Sequence, residues 1–272
     1  MPVNRIPFSP VWAFMRRWTR SQMRGGSRSF QLAERSRLVR VESLEDRVLL
    51  TTYTVDSLDD VFANDGHITL REALQAANTD AAFNEAAAGN GADVIQFESS
   101  LFDAGGRTLT LAGFQLEITD DVTITGPGAD LLTIDANSLS RVFMIGDGTD
   151  TVLNVALSDM AIANGFVDDI SNGGGINNDA EALTIDRMTF RDNVTDGAYI
   201  SNEEFHFGGG GLFTLRGMVT IRDSTFVGNR AVFGKSGGAI LSSRADLTIE
   251  RTLIDNNYTD RDGGGVSTNY GG

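Results

Sequence analysis

Carboxylates are the most plentiful reactive side chains in this chain, 37 Asp and Glu against 22 Lys and Arg. Glycoside hydrolysis needs two acids at a set separation on one face, and proton abstraction needs a base within reach of the substrate. Asp186, Asp223 and Glu250 are the best-placed acids, but Arg residues at equivalent repeat positions account for them as structural partners. Gly146 to Val152, GDGTDTV, matches one unit of a G-x-G-x-D-x-U calcium repeat. Such repeats hold the ion between successive copies and the chain has one copy, so the segment reads as a simple turn. Asp255, Asp260 and Asp262 could offer oxygens to a hard cation, and read more simply as a solvated connection. His67 and His206 have no ligand partner at a recognisable spacing. No Ser-His-Asp constellation or phosphate-cradling loop occurs. The sequence therefore assigns no catalytic, cofactor-binding or metal-ligating residue, with calcium the one cofactor left open. For partner binding, the place to look is residues 194–207, where Tyr199, Phe205 and Phe207 flank Glu203 and Glu204. Aromatics beside carboxylates suit a sugar or protein surface; a flap folded back over the protein is the alternative.

The elements that must carry these residues are repetitive. VALSDMAIANG (155–165), LTIDRMTFRDN (183–193), VTIRDSTFVGN (219–229) and LTIERTLIDNN (247–257) align without gaps. Their equivalent residues Ile162, Phe190, Phe226 and Ile254 are 28, 36 and 28 positions apart. The longer interval contains residues 194–207. Constant strands with one variable connection predict a parallel stack in which insertions stay outside the core. Stacking then sets Leu157, Ile185, Ile221 and Ile249 in one inward column and Ile162, Phe190, Phe226 and Ile254 in another. Asn193, Asn229 and Asn257 form a corner ladder. Two charged columns alternate in sign, Asp159-Arg187-Asp223-Arg251 and Asp186-Arg222-Glu250, an order that rewards correct register and penalises slippage. GGGI (173–176), GGGL (209–212), GGAI (237–240) and GGGV (263–266) mark recurrent corners.

One helix precedes the stack. Thr69 and Glu72 form a T-x-x-E capping box, Leu70, Ala73, Leu74 and Ala77 share a face, and Asn78 reads as the stop. Covering the open end of the stack, whose first strands would otherwise have unpaired edges, is its expected task.

Charge divides the chain. Residues 1–50 hold ten Arg and four acids, while the remainder carries a net charge of −21. So acidic a body argues against nucleic-acid or anionic-lipid partners. The leader reads as a targeting-like extension, with a nucleic-acid arm as its rival. No run approaches the roughly 20 apolar residues of a membrane span, and the absence of Cys excludes disulfides and thiolate metal sites.

The motifs resemble known families. GGGI, GGAI, FRDN (190–193) and FVGN (226–229) resemble the repeats of polymorphic outer-membrane proteins; IDNN (254–257) has Ile for Phe. ITLREALQAAN (68–78) resembles the CSLREA domain, with Ile68 and Thr69 in place of its Cys and Ser. DVIQFESSLF, VTITGPGADLLTIDAN and RVFMI continue that likeness. SLEDRVLL (43–50) is similar to the LEPR-XLL motif of bacterial surface proteins, with Asp46 for Pro. The resemblance implies an exported cell-surface protein. The resulting expectation is a right-handed single-stranded parallel β-helix with a short capping helix: leader 1–40, disordered; sorting motif 41–52; cap 53–100; β-helix 101–272, reading as truncated at its C-terminus. The expected role is structural or adhesive, as a monomer towards a polysaccharide, matrix or protein partner. A polysaccharide lyase or glycoside hydrolase is the alternative.

Overall fold

The computed structural model describes residues 50–168, 171–197 and 207–269. The leader, all of the SLEDRVLL motif but Leu50, and Tyr199, Glu203, Glu204, Phe205 and His206 lie outside them. The described residues are mainly β, with the α-helix Leu70–Thr79 and the single-turn 3-10 helix Ser99–Phe102.

Every pairing between strands is parallel, in four sheets. A first sheet of seven strands runs in chain order from Thr52–Val55 and Asp93–Phe97 through Val122–Thr125, Asn154–Ser158, Ala182–Asp186 and Met218–Arg222 to Asp246–Glu250. A second runs from Arg107–Thr110 to Leu253–Asp255, a third from Leu116–Ile118 to Val266–Asn269, and a short fourth from Phe166–Val167 to Tyr258–Thr259. After Asp93–Phe97 the chain visits first, second and third sheets in rotation, adding the fourth between second and third from Phe166 onward. Each pass pairs with the one before.

The inward columns follow from that register. Tyr53, Ile95, Ile124, Leu157, Ile185, Ile221 and Ile249 pair successively in the first sheet. Leu109, Ile134, Ile162, Phe190, Phe226 and Ile254 do so in the second. Phe190 and Phe226 share one core, stacked with centroids 4.2 Å apart and planes 8° from parallel. The third sheet differs. Its column opens with Ile118 and Ile145 and continues as Asn178, Thr214 and Ser242, all wholly buried. The amide of Asn178 donates to Thr214 Oγ1 (3.2 Å) and to Glu181 O (3.0 Å), so part of the interior is joined by polar side chains.

The asparagine ladder forms. Asn193 Nδ2 donates to Asn229 Oδ1, and Asn229 Nδ2 to Asn257 Oδ1, both at 2.9 Å. Each Oδ1 also accepts a backbone N–H from the preceding pass, those of Gly165, Asn193 and Asn229. Each amide further donates to a carbonyl of that pass, of Ile162, Phe190 or Phe226. The ladder thus supplies backbone partners where strands are interrupted. At the glycine corner, Gly237 has φ +66, and a side-chain carbon there would stand 2.3 Å from Ile240 O. Only glycine fits that approach.

The charged columns occupy their expected register, and Arg187 and Arg251 each also meet an acid of the adjoining column. Asp159, Arg187, Asp223 and Arg251 share a left-handed corner conformation, with φ between 46° and 57°. Arg187 holds Asp159 through two hydrogen bonds of 2.7 and 2.6 Å, and Arg251 holds Asp223 through two of 2.7 Å. In the adjoining column Arg222 meets Glu250 at 3.1 Å, while Asp186 pairs with neighbouring Arg187. Planar guanidinium matched to carboxylate favours such two-pronged pairing over an even ladder.

The helix carries the expected capping box: Glu72 N donates to Thr69 Oγ1 and Thr69 N to Glu72 Oε2. It runs one residue past Asn78 and ends on Asp80 in a left-handed conformation. Asn78 has another task. Its amide donates to Glu117 O (2.9 Å) and its oxygen accepts Thr119 N (2.9 Å). Arg71, itself gripped by Asp60, donates to Phe114 O and Gln115 O. These side chains satisfy the backbone edge that begins the third sheet, where no earlier pass exists.

Asn229→Ala should destabilise the protein by about 2–4 kcal/mol, since it leaves buried partners in two passes unpaired. Asn257→Ala, at a partly exposed rung, should cost less; denaturant midpoints would show the difference. A double-mutant cycle on Asp159 and Arg187 should give a coupling of about 0.5–1 kcal/mol near neutral pH. The Arg187 hydrogen bond holds the Asp159 carboxyl below the usual carboxylate range. That stabilisation is complete above the unfolded-state value, about 4, and is lost as pH falls through the lowered folded value. Measured at progressively lower pH, the coupling should disappear.

Candidate functional site

The corner from third sheet to first concentrates acids that form no ion pair among the described residues. Strands that end in Asp179 and begin at Ala182 leave a two-residue turn, placing Ala180 at φ +73 and burying Glu181 to 2 % exposure. Glu181 Oε2 accepts Leu153 N at 2.6 Å, so the carboxylate caps the preceding pass. Burial raises its pKa, opposed by that N–H and reinforced by Asp147, Asp179 and Asp121. Asp121 holds Asn154 in the same fashion, accepting its N–H at 2.7 Å.

These residues border a cavity of about 580 Å³ lined by Asp150, Val152, Asp179, Glu181, Leu215 and Arg216 among others. One wall is the GDGTDTV segment. As the sequence suggests, it is a turn: Asp147 accepts the Thr149 N–H at 2.7 Å and its hydroxyl at 2.8 Å, which lowers the Asp147 pKa. Gly146 (φ +140) has a backbone conformation that residues with side chains rarely adopt, and a carbon there would press on Asp179 Cβ at 3.2 Å. A buried carboxyl that retains its proton to higher pH, beside other acids in a cleft, can serve as a proton donor. It can equally receive a basic or polyhydroxylated group.

The other residues singled out by sequence do not join this cleft. His67 is exposed, 3.3 Å from Asp56. Asp260 is consumed in capping a turn, accepting the N–H groups of Phe233 (2.8 Å) and Gly234 (2.9 Å), and Asp262 faces Arg261 at 3.8 Å. Among the described residues no three His, Asp or Glu side chains stand together as a ready-made metal site. Of the 194–207 segment, the described N-terminal end is anchored by Lys235, the chain's single lysine. It is 1 % exposed, and its ammonium donates to Asp196 O (2.7 Å) and Ser171 O (3.0 Å).

Sequence reasoning missed Glu181, Lys235 and Arg141. Arg141 is 8 % exposed and donates to Gln115 Oε1 (2.6 Å), Asn172 O and Gly173 O, linking three passes. Burial lowers its pKa to about 10. Uniqueness in the composition was the one available signal for Lys235; Glu181 and Arg141 have none, since burial at a corner follows from turn geometry. No protein-family model, curated protein or solved structure matches the chain.

Glu181→Gln keeps the acceptor for Leu153 N and removes the buried titration. Because the folded pKa is raised, wild type loses stability as pH rises from the unfolded value, about 4.3, through the folded one. Denaturant midpoints should therefore move in favour of Glu181→Gln between pH 4 and pH 7. An unchanged difference would mean Glu181 titrates as in the unfolded chain.

Proposed function

We propose that this chain is a right-handed, single-stranded parallel β-helix of an exported cell-surface protein, serving as a structural or adhesive module towards a polysaccharide, matrix or protein partner. The observation that carries this reading is the use of side chains along the stack. Its columns are filled by packing, by the asparagine ladder and by mutual charge pairs, leaving few reactive groups uncommitted. Right-handedness is supported by the almost invariable hand of connections between parallel strands of one sheet. Export is supported by the CSLREA-like and LEPR-XLL-like motifs. An acidic exterior suits partners other than nucleic acid. Among the described residues no helix is long and apolar enough to cross a membrane.

One observation favours a second reading, a polysaccharide lyase or glycoside hydrolase: Glu181, whose pKa burial raises, borders the cavity at the third-to-first corner. Incubation with a panel of anionic polysaccharides separates the two. The adhesive module should give saturable retention on a polysaccharide or matrix protein without release of oligosaccharides. Turnover abolished by Glu181→Gln would establish the enzyme instead. Protease treatment of intact producing cells should remove the protein; survival until lysis would overturn the surface assignment.

A further inference from the structure

Phe114 is the most exposed large apolar side chain among the described residues, at 73 %. A single exposed ring is ordinary, but the backbone beneath this one is held from both sides. Arg71, itself paired with Asp60, donates to Phe114 O (2.8 Å) and Gln115 O (3.0 Å). Asp60 also accepts Ala112 N (2.7 Å), and Arg141 grips the Gln115 side chain (2.6 Å). A hydrogen-bonded network thus fixes the point from which an apolar ring projects into solvent. Phe62, the other exposed ring nearby, rests edge-on against Phe83 with centroids 4.9 Å apart.

Phe114 borders two cavities. One, of about 260 Å³, lies between the helix Leu70–Thr79 and the start of the third sheet, with Phe62, Gln75 and Asn78 in its wall. The other, of about 430 Å³, lies between that start and the first strand of the fourth sheet, with Leu139, Arg141, Phe166 and Asp168 in its wall. Phe114, Gln115 and Glu117 line both, so the two adjoin. Their lining selects an occupant. In the larger cavity the Arg141 guanidinium stands with the carboxylates of Glu117 and Asp168. A strongly charged partner of either sign would meet a like charge there. A neutral partner rich in hydroxyls finds acceptors in the carboxylates and both donor and acceptor in Gln115 and Gln75. The exposed faces of Phe114, Phe62 and Leu139 require that it carry apolar surface as well. A sugar has both, C–H faces that stack on aromatic rings and a rim of hydroxyls. The larger cavity falls in the range of small-ligand sites, about 300–1,000 Å³; a stable protein interface takes about 800 Å² of each partner.

We propose that the surface around Phe114 binds a neutral glycan chain, with one sugar stacked on Phe114 and its neighbours along the chain in the two adjoining cavities. A polymer suits two subsites that share a ring, whereas a free monosaccharide would fill only one. Because the backbone under Phe114 is already fixed, less ordering is needed on binding. This inference rests on the adhesive reading and narrows it, naming the chemistry of the partner and the face that meets it. It is independent of Glu181 and the cavity at the third-to-first corner.

The test is affinity electrophoresis of the full chain through gels holding neutral polysaccharides (hydroxyethyl cellulose, xyloglucan, galactomannan and β-1,3-glucan) or the anionic polygalacturonate and alginate. Wild type should be retarded by at least one neutral polymer and by neither anionic one. Phe114→Ala should weaken that retardation about tenfold or more, and Phe114→Trp should keep it. Phe233→Ala, which removes a ring 62 % exposed elsewhere, should keep it too. Equal thermal midpoints would show the variants folded. Absence of retardation by every neutral polymer would overturn the site, as would retardation by the anionic polymers alone or one that Phe114→Ala leaves intact. In those cases the adhesive reading stands if the chain is still retained on an anionic polymer, another face or a matrix protein, and falls with the site if it is retained on none. Matrix-protein binding lost in Phe114→Ala, without glycan binding, would overturn the glycan in favour of a protein interface.

Discussion

Parallel pairing of each pass with the one before is the constraint from which the remaining structure follows. Strands in such pairs lie about 4.8 Å apart, so each side chain meets its equivalent almost directly. Apolar residues gain from that repetition, as do two stacked rings, Phe190 on Phe226. An asparagine, carrying both donor and acceptor, can bond an identical neighbour indefinitely. A charge cannot follow itself, and so Asp159 is answered by Arg187 and Asp223 by Arg251.

The same constraint creates a difficulty where the stack begins, because the first pass has no predecessor. The solution is side-chain mimicry of a strand. Arg71 and Asn78 project from one helix and present to the third sheet the donors and acceptor that another backbone would have offered. At the corners the constraint relaxes. Strands are absent there, turn lengths vary, and polar groups can be buried for purposes other than stacking. Glu181, Asp93 and Lys235 all sit in or beside such connections, and the candidate chemistry of the protein gathers there too.

Legibility in the sequence follows this division. The apolar columns, the asparagine ladder, the capping box and the register of the charged columns could all be aligned from spacing, since each depends on equivalence between repeats. Partner choice within the charged columns could not. Alternation leaves Arg187 free to take Asp159 or Asp223, and only the folded structure shows that it takes Asp159. Asn178, Thr214 and Ser242 are interior because they share a column with Ile145, which their polar side chains do not signal. Asn78, expected to end the helix, instead pairs with a strand almost 40 residues later, a contact with no local signature.

Sequence alone determined the mainly β, parallel, stacked character of this protein, because hydrophobic period and repeat length are local quantities that survive any arrangement of the connections. Tertiary structure alone decided which acids pair with Arg and which are buried at the turns. That choice depends on how separate turns approach one another, as Gly89 approaches Asp93, Asp80 and Ala76, and no spacing along the chain encodes the distance.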